Sequence, residues 1–137
     1  MKTRHEFVDG HDLVVLTATG TLDLENSKAA MTRLGQSPEF ESRYEVLLDF
    51  RAVDCEMSVT DLYELASHMA WPHPALPTHR KVAILVNGSR AFDFAKFLEI
   101  CAINRGLRMR AFVEPEAAHA WLDTEVEAFP AEADRSS

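Results

Sequence analysis

Two short, continuous apolar segments constrain the fold of this chain more than any other feature. They are Tyr44 to Phe50 and Arg80 to Asn87, whose centres read Val-Leu-Leu and Val-Ala-Ile-Leu-Val. Apolar runs of this length without polar alternation are typical of strands that are covered on both faces of a parallel sheet. They fall far short of the ~20 residues that a membrane-spanning helix needs. We therefore predict two buried strands, the first of them central in the sheet, and no membrane span.

Helical periodicity separates these strands. A first helix is predicted over Leu24 to Leu34, with Asp23 or Asn26 as its N-cap and Gly35 as its end. A second helix begins at Ser58, because Ser58 and Asp61 resemble a capping box. Its predicted apolar face consists of Val59, Leu62, Leu65, Ala66 and Met69.

The remaining elements complete an alternating order. A third helix is predicted over Ala91 to Asn104 and ends at Gly106, and a last strand follows over Leu107 to Val113. Pro115 fits the first turn of a closing helix, whose further residues include Ala117, Ala118, Trp121 and Leu122. At the other end, Asp9-Gly10 predicts a hairpin turn between the strands His5 to Val8 and Leu13 to Thr19.

This order predicts an α/β fold with a single, mostly parallel sheet of about five strands and about four helices. The opening hairpin supplies the antiparallel member. A length of 137 residues suits one domain. We assign residues 1–123 to that domain and expect residues 124–137, which are acidic and rich in alanine, to form a flexible tail.

Charge and cysteine usage narrow the function. A formal net charge of -8 argues against nucleic-acid partners, because binding the phosphate backbone depends on Lys and Arg. Cys55 and Cys101 have no CxxC spacing, and Met1 to His5 lead into no apolar signal-peptide core, so we expect a reduced, cytoplasmic protein. His68, His73 and His79 lack the compact spacing of zinc ligands, so we predict no metal and no cofactor.

Two segments resemble a known superfamily. Val14 to Asp23 reads Val-Val-Leu-Thr-Ala-Thr-Gly-Thr-Leu-Asp and resembles the opening of STAS-type domains, where a strand ends in Gly-x-Leu-Asp before the first helix. Arg110 to Leu122, which ends in Ala-x-x-Trp-Leu, resembles the last strand and helix of the SpoIIAA-like branch. The resemblance covers roughly Phe7 to Asp123. It implies a non-enzymatic regulatory module that binds a protein partner. The superfamily's relation to lipid carriers implies the alternative, a domain that carries a small apolar ligand or lipid.

The resemblance also singles out Ser58. STAS anti-sigma factor antagonists carry a phosphorylatable serine in an Asp-Ser-x-Gly motif at the start of the second helix, and counting forward from Asp49 places Ser58 there. Met57 and Thr60 stand where the motif has Asp and Gly, so the motif is degenerate. Ser58 is therefore a candidate phosphoacceptor by resemblance, or simply the cap of its helix.

The carboxyl ends of parallel strands are the usual place for a binding site. After the first buried strand this edge holds Arg51, Asp54, Cys55 and Ser58, and after the second it holds Asn87, Ser89 and Arg90. Asn87 to Arg90 form either an anion-binding turn or an ordinary cap. We exclude Cys55 as a nucleophile, because the neighbours Asp54 and Glu56 would raise the pKa of its thiol.

Two apolar features leave alternatives open. Trp71 stands among prolines, where it either contacts a partner or packs onto the core. The third helix carries more apolar residues than one sheet contact needs: Phe92, Phe94, Phe97, Leu98, Ile100, Cys101 and Ile103. This excess indicates deep core packing, a homodimer interface or the wall of a ligand pocket.

Overall fold

The computed structural model describes residues 1–8, 12–37, 44–70 and 81–123. Strands and helices alternate along this part of the chain, as predicted. They are β1 (Lys2–Val8), β2 (Leu13–Leu22), α1 (Leu24–Gln36), β3 (Glu45–Cys55), α2 (Val59–Ala70), β4 (Lys81–Leu85), α3 (Ser89–Ile103), β5 (Arg108–Phe112) and α4 (Pro115–Leu122). The prediction of an α/β fold with five strands and four helices is confirmed for the described residues.

The sheet follows the order of the chain. Its strand order is β1-β2-β3-β4-β5, so that β3 is central as predicted. β1 pairs antiparallel with β2, and the pairs β2–β3, β3–β4 and β4–β5 are parallel. The hairpin strands are confirmed. The predicted turn at Asp9-Gly10 and the tail at 124–137 lie outside the described residues.

Helices cover the sheet on both faces, which explains the continuous apolar runs. On one face, α1, α2 and α3 form the main core with Val46 and Leu48 of β3. On the other face, Leu47 packs with Ala83 and Leu85 against Ala118 and Leu122 of α4. Successive residues of a strand point to opposite faces, so both sets of neighbours are buried.

Two of the helix ends predicted from capping residues are found in the structure, and one is not. The Asp23 carboxylate caps α1 by accepting a hydrogen bond from the Asn26 N–H at 2.8 Å. Gly106 adopts a φ of 89° just after α3, a left-handed conformation that favours glycine. The prediction that Gly35 ends α1 is wrong. The helix continues to Gln36, and the N–H of its C-cap Ser37 bonds to the Leu34 carbonyl, so the helix ends without needing a left-handed residue.

The burial of one residue and the end of one strand differ from the prediction in ways that matter for function. Val59, predicted on the buried face of α2, is 58% exposed, because the first turn of a helix lies at the rim of the packed layer. β3 runs five residues past the predicted end at Phe50, to Cys55. The last four of them, Ala52 to Cys55, pair with the end of β2, a long-range contact that the local pattern does not reveal.

Candidate functional site

The carboxyl edge of the sheet is uneven, and this unevenness creates a cleft. β2 and β3 remain paired as far as Leu22 and Cys55. β4 pairs with β3 only as far as Asp49 and Leu85. Among the described residues, the segment Ala52 to Cys55 therefore pairs with β2 alone, and the β2–β3 ribbon projects beyond the end of β4.

A β-bulge sets the direction of the side chains on this ribbon. Thr17 pairs with Asp49 and Thr19 with Ala52, so β3 carries one extra residue at this point. The extra residue reverses the alternation of the strand. Val53 and Cys55 consequently pack against the main core beneath the helices, on the face that Leu48 and Phe50 also use, while Asp54 is exposed.

The cleft lies between the projecting ribbon and the start of α3. It has a volume of about 410 Å³. Its walls consist of Val53, Asp54, Cys55, Glu56, Asn87, Arg90, Ala91 and Phe94. Four residues predicted from the sequence thus come together here, namely Asp54, Cys55, Asn87 and Arg90. Sequence reasoning missed Val53 and did not connect Phe94, named only among the apolar residues of the third helix, with this edge, because their placement depends on the bulge and on the packing of α3.

The other predicted site residues lie elsewhere. Arg51 does not line the cleft; its guanidinium holds Asp49 through two bonds, Nε to Oδ1 at 2.9 Å and Nη2 to Oδ2 at 2.8 Å. This pairing lowers the pKa of Asp49 below its usual range. Ser89 lines a separate shallow hollow beside Phe92 and Val113. Trp71 lies outside the described residues.

Cys55 has the character of a structural thiol. Burial raises the pKa of the Cys55 thiol, and Asp61 adds to that effect, whereas the Met57 N–H and Arg90 act against it. The prediction that the pKa of Cys55 is raised is correct in direction, but the causes are burial and Asp61 rather than Asp54 and Glu56. A raised pKa leaves little thiolate at neutral pH, which disfavours nucleophilic chemistry.

Ser58 forms one half of a complete capping box. Its Oγ accepts the Asp61 N–H at 3.1 Å, and the Asp61 carboxylate accepts the Ser58 N–H at 3.1 Å. Met57, which stands where the STAS motif has Asp, is buried, and its sulfur receives a contact from the Ser27 hydroxyl at 3.9 Å. The residue before Ser58 therefore anchors the loop to the core, while Ser58 itself is exposed.

The turn before α3 shows the geometry of an ordinary helix start. Gly88 is the N-cap with a φ of 95°, and it provides no side-chain cap. Its carbonyl accepts the Phe92 N–H at 3.0 Å. Arg90 leans over its own helix, with its guanidinium carbon 5.5 Å from the centre of the Phe94 ring.

The apolar residues of α3 divide between core and surface. Leu98 and Cys101 are buried, Phe92, Phe94 and Phe97 pack partly against the core, and Ile100 and Ile103 are exposed. The cavity between α3 and the sheet measures only about 40 Å³. Pockets that hold small ligands are typically about 300–1,000 Å³. The arrangement therefore favours core packing over a ligand pocket at this place.

Two further observations concern metals and membranes. No group of three or more potential metal-ligating side chains occurs in the described ranges, and His73 and His79 fall outside them. Within the same ranges, none of the helices combines the length and apolar character that crossing a bilayer demands.

Comparison with known proteins rests on structure alone. No family model matches the chain, and no curated protein matches it. Among solved structures, it is similar to a DUF3478-family protein from Shewanella loihica PV-4 with a SpoIIAA-like fold. That match has 17% identity and a TM-score of 0.51, and it covers 88% of this chain and 92% of the other. The chain is also similar to the anti-sigma factor antagonist SpoIIAA in its unphosphorylated form. Here the identity is 16% and the TM-score 0.51, with 90% of this chain and 100% of SpoIIAA covered. Both matches extend over most of the chain, and the chain therefore has the SpoIIAA-like fold that its first and last segments resemble.

Proposed function

We propose that this chain is a non-enzymatic regulatory module that binds a protein partner through the carboxyl edge of its sheet. The contact surface consists of the loop Asp54 to Ser58 and the exposed face of α2. Trp71, which follows the other end of α2 in the sequence, is proposed as a further contact away from that edge. The observation that carries the proposal is the exposure of two apolar side chains directly after that loop. Val59 is 58% exposed and Tyr63 is 56% exposed.

These two side chains form one surface. Residues four apart lie side by side on a helix, so Val59 and Tyr63 share a face of α2. The Tyr63 ring is held in place by the Arg105 guanidinium, whose carbon lies 4.1 Å from the ring centre. An aromatic ring already fixed in position loses little conformational entropy on binding, which is typical of residues that dominate protein interfaces.

The loop beside this face is rigid enough to serve as a recognition element. Met57 anchors it in the core and the capping box fixes its end at Ser58. SpoIIAA, to which the fold is similar, is by its description an antagonist of an anti-sigma factor, which is a protein target. That likeness supports a protein partner here. The small volume beneath α3 gives no comparable support to the alternative of a lipid carrier.

A matched pair of variants tests the proposal. Val59→Glu places a charge in the proposed surface, whereas Ile103→Glu places the same charge at the end of α3, on the opposite edge of the sheet. Ile103 is similarly exposed, at 52%. Both changes are expected to leave the fold intact, because neither side chain belongs to the core.

The measurement is quantitative affinity purification of the tagged chain from its host, followed by mass spectrometry and native mass determination. We expect Val59→Glu to lose a specific partner that wild type and Ile103→Glu both retain. Equal retention by both variants would show that this surface is not the interface. Loss of a dimer in Ile103→Glu alone would instead assign α3 to the homodimer predicted from its apolar excess.

A further inference from the structure

The projecting part of β3 has backbone groups that face the cleft. The Glu56 N–H donates to the Leu22 carbonyl at 2.9 Å, so the backbone at Glu56 faces β2. Backbone groups in a parallel strand alternate between its two neighbours. The backbone N–H and C=O groups of Asp54 therefore also face β2, whereas those of Val53 and Cys55 face the opposite side.

On that opposite side, no strand of the described chain continues. β4 has ended at Leu85, and the N–H of the next residue, Val86, bonds to the Phe112 carbonyl on β5. The described residues provide no hydrogen bond to the cleft-facing backbone of Val53 or Cys55. A strand edge of this kind is a template for pairing with another extended chain.

We propose that this edge of β3, over Val53 to Cys55, binds an extended segment of the partner polypeptide as an added strand. The inference rests on the proposed function and names how part of the partner binds. An added strand lies about 4.8 Å from its neighbour, and the cleft of about 410 Å³ lies along this edge. Backbone pairing of this type requires an extended peptide rather than a helix or a small molecule.

The walls of the cleft indicate the composition of that segment. Ala91 and Phe94 form an apolar wall on the side of α3, which suits one apolar side chain. Asp54 and Glu56 also line the cleft, so it has two residues with carboxylates on the ribbon and one residue with a guanidinium, Arg90, on α3. An apolar residue flanked by Lys or Arg therefore fits the cleft best. A second copy of this chain fits poorly, because pairing two β3 edges would bring the carboxylates of both copies together and each chain carries a net charge of -8.

The test uses the unmodified full chain and a phage-displayed library of random nine-residue peptides. The tightest selected peptide is synthesised in three forms: unmodified, N-methylated at its odd residues and N-methylated at its even residues. N-methylation removes backbone donors while keeping the side chains. We expect one methylated form to lose at least tenfold in affinity and the other to change less than threefold, because only alternate residues face β3.

Amide hydrogen exchange locates the site at which the peptide binds. Binding of the unmodified peptide should slow exchange at Val53 and Cys55 at least tenfold, and selected sequences should be enriched in Lys or Arg next to an apolar residue. Failure to select any binder, equal effects of both methylated forms, or protection confined to α2 would each overturn the added-strand inference. None of these outcomes alters the Val59→Glu comparison, so the proposed function can stand when this inference fails. Conversely, retained partner capture by Val59→Glu, together with protection at Val53, would refute the α2 surface and support the added strand.

Discussion

The exposed capping box at Ser58 permits a test that separates a structural role from a functional one. Ser58→Ala removes the oxygen that accepts the Asp61 N–H at 3.1 Å. The reciprocal bond, from the N–H of residue 58 to the Asp61 carboxylate, remains available. Losing an N-cap oxygen costs typically ~1 kcal/mol. For a domain of this size, that lowers Tm by about 3–5 °C.

Ser58→Asn is the matched control, because an asparagine oxygen caps a helix about as well as serine. Urea unfolding followed by circular dichroism should place Ser58→Asn within a few tenths of a kcal/mol of wild type and Ser58→Ala ~1 kcal/mol below it. An Asp61→Ala change, alone and combined with Ser58→Ala, should show a coupling of ~0.5 kcal/mol or more, since the two side chains share one network. Equal stability of wild type and Ser58→Ala would refute the capping role.

The same variants address recognition. If Ser58 is only a cap, partner capture by both variants should match wild type at a temperature where each is folded. Loss of partner capture in Ser58→Asn, whose stability is expected to be unchanged, would show that the partner recognises the hydroxyl or that the hydroxyl is modified. A phosphate at Ser58 would gain from the helix N-terminus but would meet the carboxylates of Asp54, Glu56 and Asp61. We therefore expect no phosphate on Ser58 by mass spectrometry of protein purified from its host.

Two further predictions concern charged groups. Glu99→Ala should destabilise the fold by about 1–3 kcal/mol in urea unfolding, because Glu99 Oε1 accepts the buried Ala111 N–H at 2.8 Å and that donor would lose its partner. Glu99→Gln keeps an acceptor and should cost less; equal losses would contradict this account. Arg51→Met should lower stability by at most about 1 kcal/mol at pH 7, as the pair is partly exposed. Because Arg51 lowers the folded pKa of Asp49, its contribution is complete above the unfolded pKa of about 4 and is lost as pH falls through the folded value. The free energies of unfolding of wild type and Arg51→Met should therefore converge at acidic pH. A difference in stability that persists there would rule out the ion pair as its source.

The sequence predicted the elements whose signals are local or repeated. Continuous apolar runs identified β3 and β4, because both faces of these strands are covered by helices. The capping box at Ser58 and the stop at Gly106 were also correct, since each depends on bonds or angles within a few residues.

The features that build the cleft could not be predicted in this way. The segment Arg51 to Cys55 is extended only because β2 continues beside it, and its bulge is a property of the pairing between two strands. The cleft exists because β3 is longer than β4 at one end, a difference that no single segment encodes. The sequence therefore predicted a set of polar residues at the carboxyl edge of the sheet, whereas the structure shows which of them line the cleft together.

The edges of β5 and β3 differ in how their backbone groups are satisfied, and that contrast bears on function. At the outer edge, β5, the Phe112 carbonyl accepts the Val86 N–H, so the backbone of Ala111 faces away from β4. There the Glu99 carboxylate takes the place of a missing strand and accepts a hydrogen bond from the Ala111 N–H. Lys96 Nζ forms a salt bridge with Glu99 Oε2 at 2.9 Å. The inner edge of β3 has no such side chain among the described residues, although Asn87 and Arg90 lie across the cleft. Exposed edges invite aggregation and are usually blocked. On β5 a buried carboxylate thus bonds an outward-facing N–H, whereas the β3 edge beside the cleft has no such partner among the described residues, and this contrast favours the proposed pairing at β3.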